Sequence, residues 1–187
     1  MQVVFTKQKN CAYTIVVTRC DRVKLQFQGV GKKFLVPHDL SHFIVESKLN
    51  MRQGFWGCVA DGALFPGMNI IEGRQKPNAK SRSKQVIKEA HQQLRLAECL
   101  VGRFYEISVG ELDRVPSKAQ KHLAQISADI QPQFSNSTIL EVSQTLRNFQ
   151  TLWQAINIEE SIELHWNQKY PGKSLNLDRE FLVYADG

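Results

Sequence analysis

From residue 3 to residue 28 the apolar positions recur in short, strand-like stretches. Residues 3–6 begin the series, residues 12–19 (AYTIVVTR) are rich in β-branched side chains, and residues 23–28 (VKLQFQ) alternate apolar with polar. Such alternation suits a sheet with one wet face. Gly29 and Gly31 mark a turn before KKFLV, and the links between these stretches are short. An antiparallel meander is the simplest arrangement.

The period then changes. Pro37 opens a helix over 37–49, because proline is tolerated in a first helical turn. Residues 52–67 supply one short helix ending near Gly62, then an irregular turn around Pro66 and Gly67. From about Ser83, a long helix collects Val86, Ala90, Ala97, Val101 and Phe104 on one side, with Leu94 beside them. Pro116 opens a further helix whose stripe is Ala119, Leu123, Ile126 and Ile130. Thr138 and Glu141 have capping-box spacing ahead of Ile139, Val142, Leu146, Phe149, Trp153 and Ile156 at helical intervals. Residues 161–166 and 180–185 alternate as two closing strands around a turn with Pro171 and Gly172. Strands, then helices, then strands predict an α+β fold: an N-terminal antiparallel meander, several amphipathic helices and two C-terminal strands.

Composition narrows the setting. The 187 residues are 42% hydrophobic, enough for one substantial core, and no low-complexity gap divides them, so a single domain over 1–187 is expected. No apolar run approaches the roughly 20 residues of a membrane helix, and the N-terminus lacks the apolar run of a signal peptide. The expectation is a soluble, cytoplasmic protein. Cys11, Cys20, Cys58 and Cys99 follow no metal-ribbon spacing and are expected as reduced thiols.

The net charge is +6, from 24 Lys and Arg against 18 Asp and Glu. Part of the surplus lies in residues 73–88, where Arg74, Lys76, Lys80, Arg82, Lys84 and Lys88 occur without an acid. That run is expected either as a solvated loop or as a surface for nucleic acid or an acidic partner. It holds no aromatic residue on which a base would stack.

The stretch that invites chemistry is VPHDLSHFIVESKLN, residues 36–50. With His38 at zero on a helical wheel, His42 falls at roughly 40° and Glu46 at roughly 80°, flanked on both sides by apolar positions. This sector is therefore expected to face a groove or the interior. HDLSH repeats the His-to-His spacing of HExxH, in which two imidazoles on one helical face bind zinc and the Glu acts as base. Asp39 stands at the Glu position with a carboxylate one methylene shorter. Glu46 is too far along the helix to join His38 on one ion, since eight residues rise about 12 Å, so a third ligand must come from elsewhere. Candidate site residues are thus His38, Asp39, His42 and Glu46. They are compatible with a metal-dependent hydrolase, a metal-free acid/base or ligand cluster, or a polar network that pins the helix. His91, His122 and His165 are weaker candidates, and neither a GxSxG elbow, a GxxxxGK[ST] loop nor a GxGxxG after a strand is present.

The segments PHDLSHFIVE (37–46) and GFWGCVADGALF (54–65) resemble the PHDLxHFxVE-like and GxWGxxAxGA-like segments of a family of small bacterial proteins. The resemblance implies a bacterial cytosolic protein and marks His38, Asp39, His42, Glu46, Phe55 and Trp56. It implies no particular reaction.

Overall fold

The protein is described by a computed structural model covering residues 1–30, 35–110 and 134–167, with the backbone of 183–185. The helix expected after Pro116, with His122, and the turns at Gly31 and at Pro171 and Gly172 lie outside the described residues.

The fold is α+β. Strands β1 (Gln2–Lys7), β2 (Ala12–Thr18) and β3 (Lys24–Val30) form the meander that the alternating pattern predicts. Three further strands, β4 (Asn69–Glu72), β5 (Glu160–His165) and β6 (Val183–Ala185), complete an antiparallel sheet in the order β4-β3-β2-β1-β5-β6. The first strand lies inside it, with Gln2 opposite both Thr18 and His165. Alternation has its expected consequence. Val3, Phe5, Ile15, Val17, Leu25, Ile162 and Leu164 are buried, whereas their strand neighbours Gln2, Thr14, Gln26 and His165 are not.

Helices α1 (His38–Lys48), α2 (Phe55–Ala60), α3 (Ala79–Glu89), α4 (His91–Ser108) and α5 (Asn136–Ala155) accompany the sheet. Leu40, Phe43 and Ile44 of α1, Leu100 and Phe104 of α4, and Leu146 and Phe149 of α5 share one core with the buried strand residues. Lys7 fastens sheet to helix. Its ammonium donates to the carbonyls of Trp153 (2.9 Å) and Ile156 (2.7 Å), closing the end of α5, where the macrodipole is negative.

Three local expectations differ from the structure. The long helix is two helices, because the chain leaves the helix at Ala90, which packs with Cys58 and Ala63 in a separate small cluster. No proline or glycine announces that break. The basic stretch is not a loop throughout; its second half is α3. Finally, Ser135 rather than Thr138 caps α5, its hydroxyl accepting from the Thr138 amide at 3.1 Å.

One contact between strands reaches beyond the sheet. Tyr13 of β2 lies opposite Gly29 of β3, and its ring occupies the space a side chain there would need: a Cβ on Gly29 would sit 2.2 Å from the ring. The phenol thereby extends across to α1.

Candidate metal centre

Helix α1 presents its polar sector as the spacing predicts, but each side chain finds a different partner. His42 is buried, with its Nδ1 2.9 Å from Glu46 Oε1. Glu46 is fully buried and also accepts from the amides of Phe55 and Trp56, both at 2.9 Å. One carboxylate therefore orients an imidazole and satisfies two of the amides that the first turn of α2 leaves without helical partners. Gly54 makes this possible, since a Cβ there would lie 2.4 Å from the Glu46 carboxyl carbon. Gly57 permits the same closeness on the other side, where a Cβ would overlap the Arg52 carbonyl. A glycine of the second motif, Gly54, thus serves a residue of the first.

Asp39 turns elsewhere. Tyr13 donates its phenol to Asp39 Oδ2 at 2.5 Å, and the Trp56 indole donates to the Asp39 carbonyl at 2.9 Å. Burial first, and then the adjacent Asp39 carboxylate, push the Tyr13 phenol well above its ordinary value, which keeps it a donor. The Asp39 carboxylate is thereby committed to tying α1 to the sheet.

A residue without a signal in the sequence completes the group. Glu98 of α4 brings Oε2 to 3.4 Å from His42 Nε2 and 3.8 Å from His38 Nε2. One ligand atom from each of His38, His42 and Glu98 lies within 4.8 Å of the others. Two atoms each about 2.1 Å from a zinc ion, at a tetrahedral angle, are about 3.4 Å apart. The spacing fits a divalent ion with only small movement of the two outer side chains. His42 is the buried floor, whereas the side chains of His38 (35% exposed) and Glu98 (64%) open to solvent, leaving a side from which an ion could enter.

The electrostatics follow from this arrangement. Burial opposes a charge on His42, but the hydrogen bond to Glu46 and the close Glu98 carboxylate, with their negative charges, outweigh it and push the imidazole up to about 9. Burial also raises the Glu46 carboxyl, while three N–H partners favour its ionised form. His38 moves the other way, lowered by burial and by His42 despite Glu98 and Asp39. Glu98 is held below the usual carboxylate range, chiefly by the His42 imidazole 3.4 Å away. Yet His42 Nε2 is buried without a well-formed hydrogen bond, its nearest acceptor being the 3.4 Å oxygen of Glu98. A buried nitrogen aimed at a carboxylate and a second imidazole is what a cation would satisfy.

The two other described histidines lie apart. His91 is exposed at the start of α4, and exposed His165 meets Glu163 at 2.9 Å on the far side of the sheet. Half-buried Phe55 leans on His42 with ring centroids 6.1 Å apart and contacts Phe65, giving the group an apolar wall.

No family model, curated protein or solved structure gives a significant match to this chain.

Proposed function

We propose that His38, His42 and Glu98 form a site for one divalent metal ion, and that the protein is a metal-dependent hydrolase. The observation that carries this reading is the Nε2 of buried His42, which lacks a well-formed hydrogen bond and faces Glu98 and His38 at ligand spacing. The donor set, two imidazoles and one carboxylate, is that of hydrolytic zinc sites, which keep a further position open for water. Glu46 supplies the carboxylate–imidazole contact that fixes which nitrogen faces the ion. An ion bound there would lower the pKa of a water in its open position. His42 must lose its Nε2 proton to bind, so affinity rises with pH.

Neither Asp39 nor Glu46 is free to act as the base of an HExxH site, because Asp39 is engaged by Tyr13 and Glu46 by three donors. Peptides and esters are the substrates to test first. Titration of zinc or cobalt into metal-stripped protein should give one site per chain, with His42→Ala abolishing it and Glu98→Ala weakening it at least tenfold. The bound cobalt should show the intense visible absorption of low coordination. Wild-type protein that takes up neither ion overturns the proposal. Metal uptake without hydrolysis of either substrate class would retain the site and remove the hydrolase.

A further inference from the structure

We infer that the outward side of α3 binds the phosphate backbone of duplex nucleic acid through Lys80, Lys84 and Lys88. These residues stand at i, i+4 and i+8, so they form one row about 12 Å long. All three are exposed. Arg74, Lys76 and Arg82 extend the same field, and among the described residues none of the six makes an ion pair. The sole acid of the helix, Glu89, accepts from Gln85 at 2.8 Å.

The row is held in place and is electrostatically unfavourable by itself. Val86 and Ile87 pack on the Cys58, Ala63 and Ala90 cluster, and the Ser83 hydroxyl accepts from the Leu64 amide at 2.8 Å. The lysines are therefore fixed outward on a seated helix. Like charges at i, i+4 repel on a helix surface. Lys80 and Arg82 also occupy the first turn, where the helix dipole is positive and no acid offsets them. A polyanion along this side relieves both conflicts.

The chemistry of the surface selects among polyanions. No apolar residue of α3 is exposed, so the row offers neither the apolar centre of a protein interface nor the inserting side of a membrane-surface helix. Residues 73–88 contain no aromatic on which an unstacked base could rest. What remains is attraction to regularly spaced phosphates, which a duplex presents at about one charge per 1.7 Å of axis.

The test is fluorescence anisotropy with a labelled 20-base-pair DNA duplex, in EDTA so that the outcome is independent of the metal centre. Neutralising about three phosphates gives a slope near −2.7 of log affinity on log salt, hence an affinity loss of about 40-fold between 50 and 200 mM salt. The combined Lys80→Glu, Lys84→Glu and Lys88→Glu variant should lose measurable binding while keeping the wild-type circular dichroism and melting profile. Lys80→Gln, Lys84→Gln and Lys88→Gln together, a milder change, should weaken binding at least tenfold. Absence of duplex binding at 50 mM salt overturns the inference, as does salt-insensitive binding or full affinity in both variants. Tighter binding of polyglutamate, of single-stranded oligonucleotide or of phosphatidylserine vesicles overturns it in favour of that partner.

Discussion

The Glu46 carboxylate and the lysines of α3 are opposite answers to where a charge can sit. Glu46 is fully buried and meets three N–H groups, whereas Lys80, Lys84 and Lys88 are exposed and unpaired among the described residues. Inside the protein a charge must be matched atom by atom, since desolvation is severe; on the surface it can stay unmatched because water screens it. The buried charge therefore specifies geometry, while the exposed row creates a field. One shapes a site; the other offers a landing surface.

The contrast breaks most visibly at its buried end. Glu46→Ala strands the His42 imidazole and two amides, and should cost about 3–5 kcal/mol in urea unfolding. Gly54→Ala tests the same network from its neighbour by driving a methyl group against that carboxylate. A loss of about 1–3 kcal/mol is expected by the same measurement. If Gly54→Ala is neutral, Glu46 has room to move, and the distinction between matched and unmatched charge loses its basis.

Protons probe it next. His42 binds its proton more tightly folded, at about 9, than at the ordinary histidine value of 6.5. Its stabilising contribution is thus complete below about 6.5 and lost as pH rises through about 9. Metal-free protein should accordingly lose stability over that window, by at most about 1.4 kcal/mol per pH unit, and His42→Gln should flatten the dependence in denaturant titrations. At the exposed end the effect is smallest and its sign reverses. Lys84→Glu replaces two repulsions with two attractions and should stabilise the protein by about 0.5–1 kcal/mol, read as a small rise in melting temperature.

The sheet and most helices were legible because burial imposes a period. Val3 and Phe5, or Ile139, Val142 and Leu146, had to recur where one side of an element meets the core. The break at Ala90 was not, since it follows from a small cluster formed by two segments distant in sequence. β4 escaped for a similar reason: its four residues are all exposed and carry no alternation, so only pairing with β3 defines them. At the site, the wheel brought His38, His42 and Glu46 to one sector, and the need for a ligand from another element followed from helix rise. Glu98 could not be named. It is one exposed acid on an amphipathic helix, and its meaning arises only where α4 crosses α1. Nor could the wheel show that Asp39 answers to Tyr13, a residue on the second strand.

The overlap of Tyr13 with Gly29 has a mechanical corollary. The phenol bridges a strand pair and the first turn of the histidine-bearing helix, so the roll of α1 about its own axis is keyed to a spot where β3 has no side chain. A bulkier residue at position 29 would prise the ring away, and the two imidazoles would swing with it although neither had been touched.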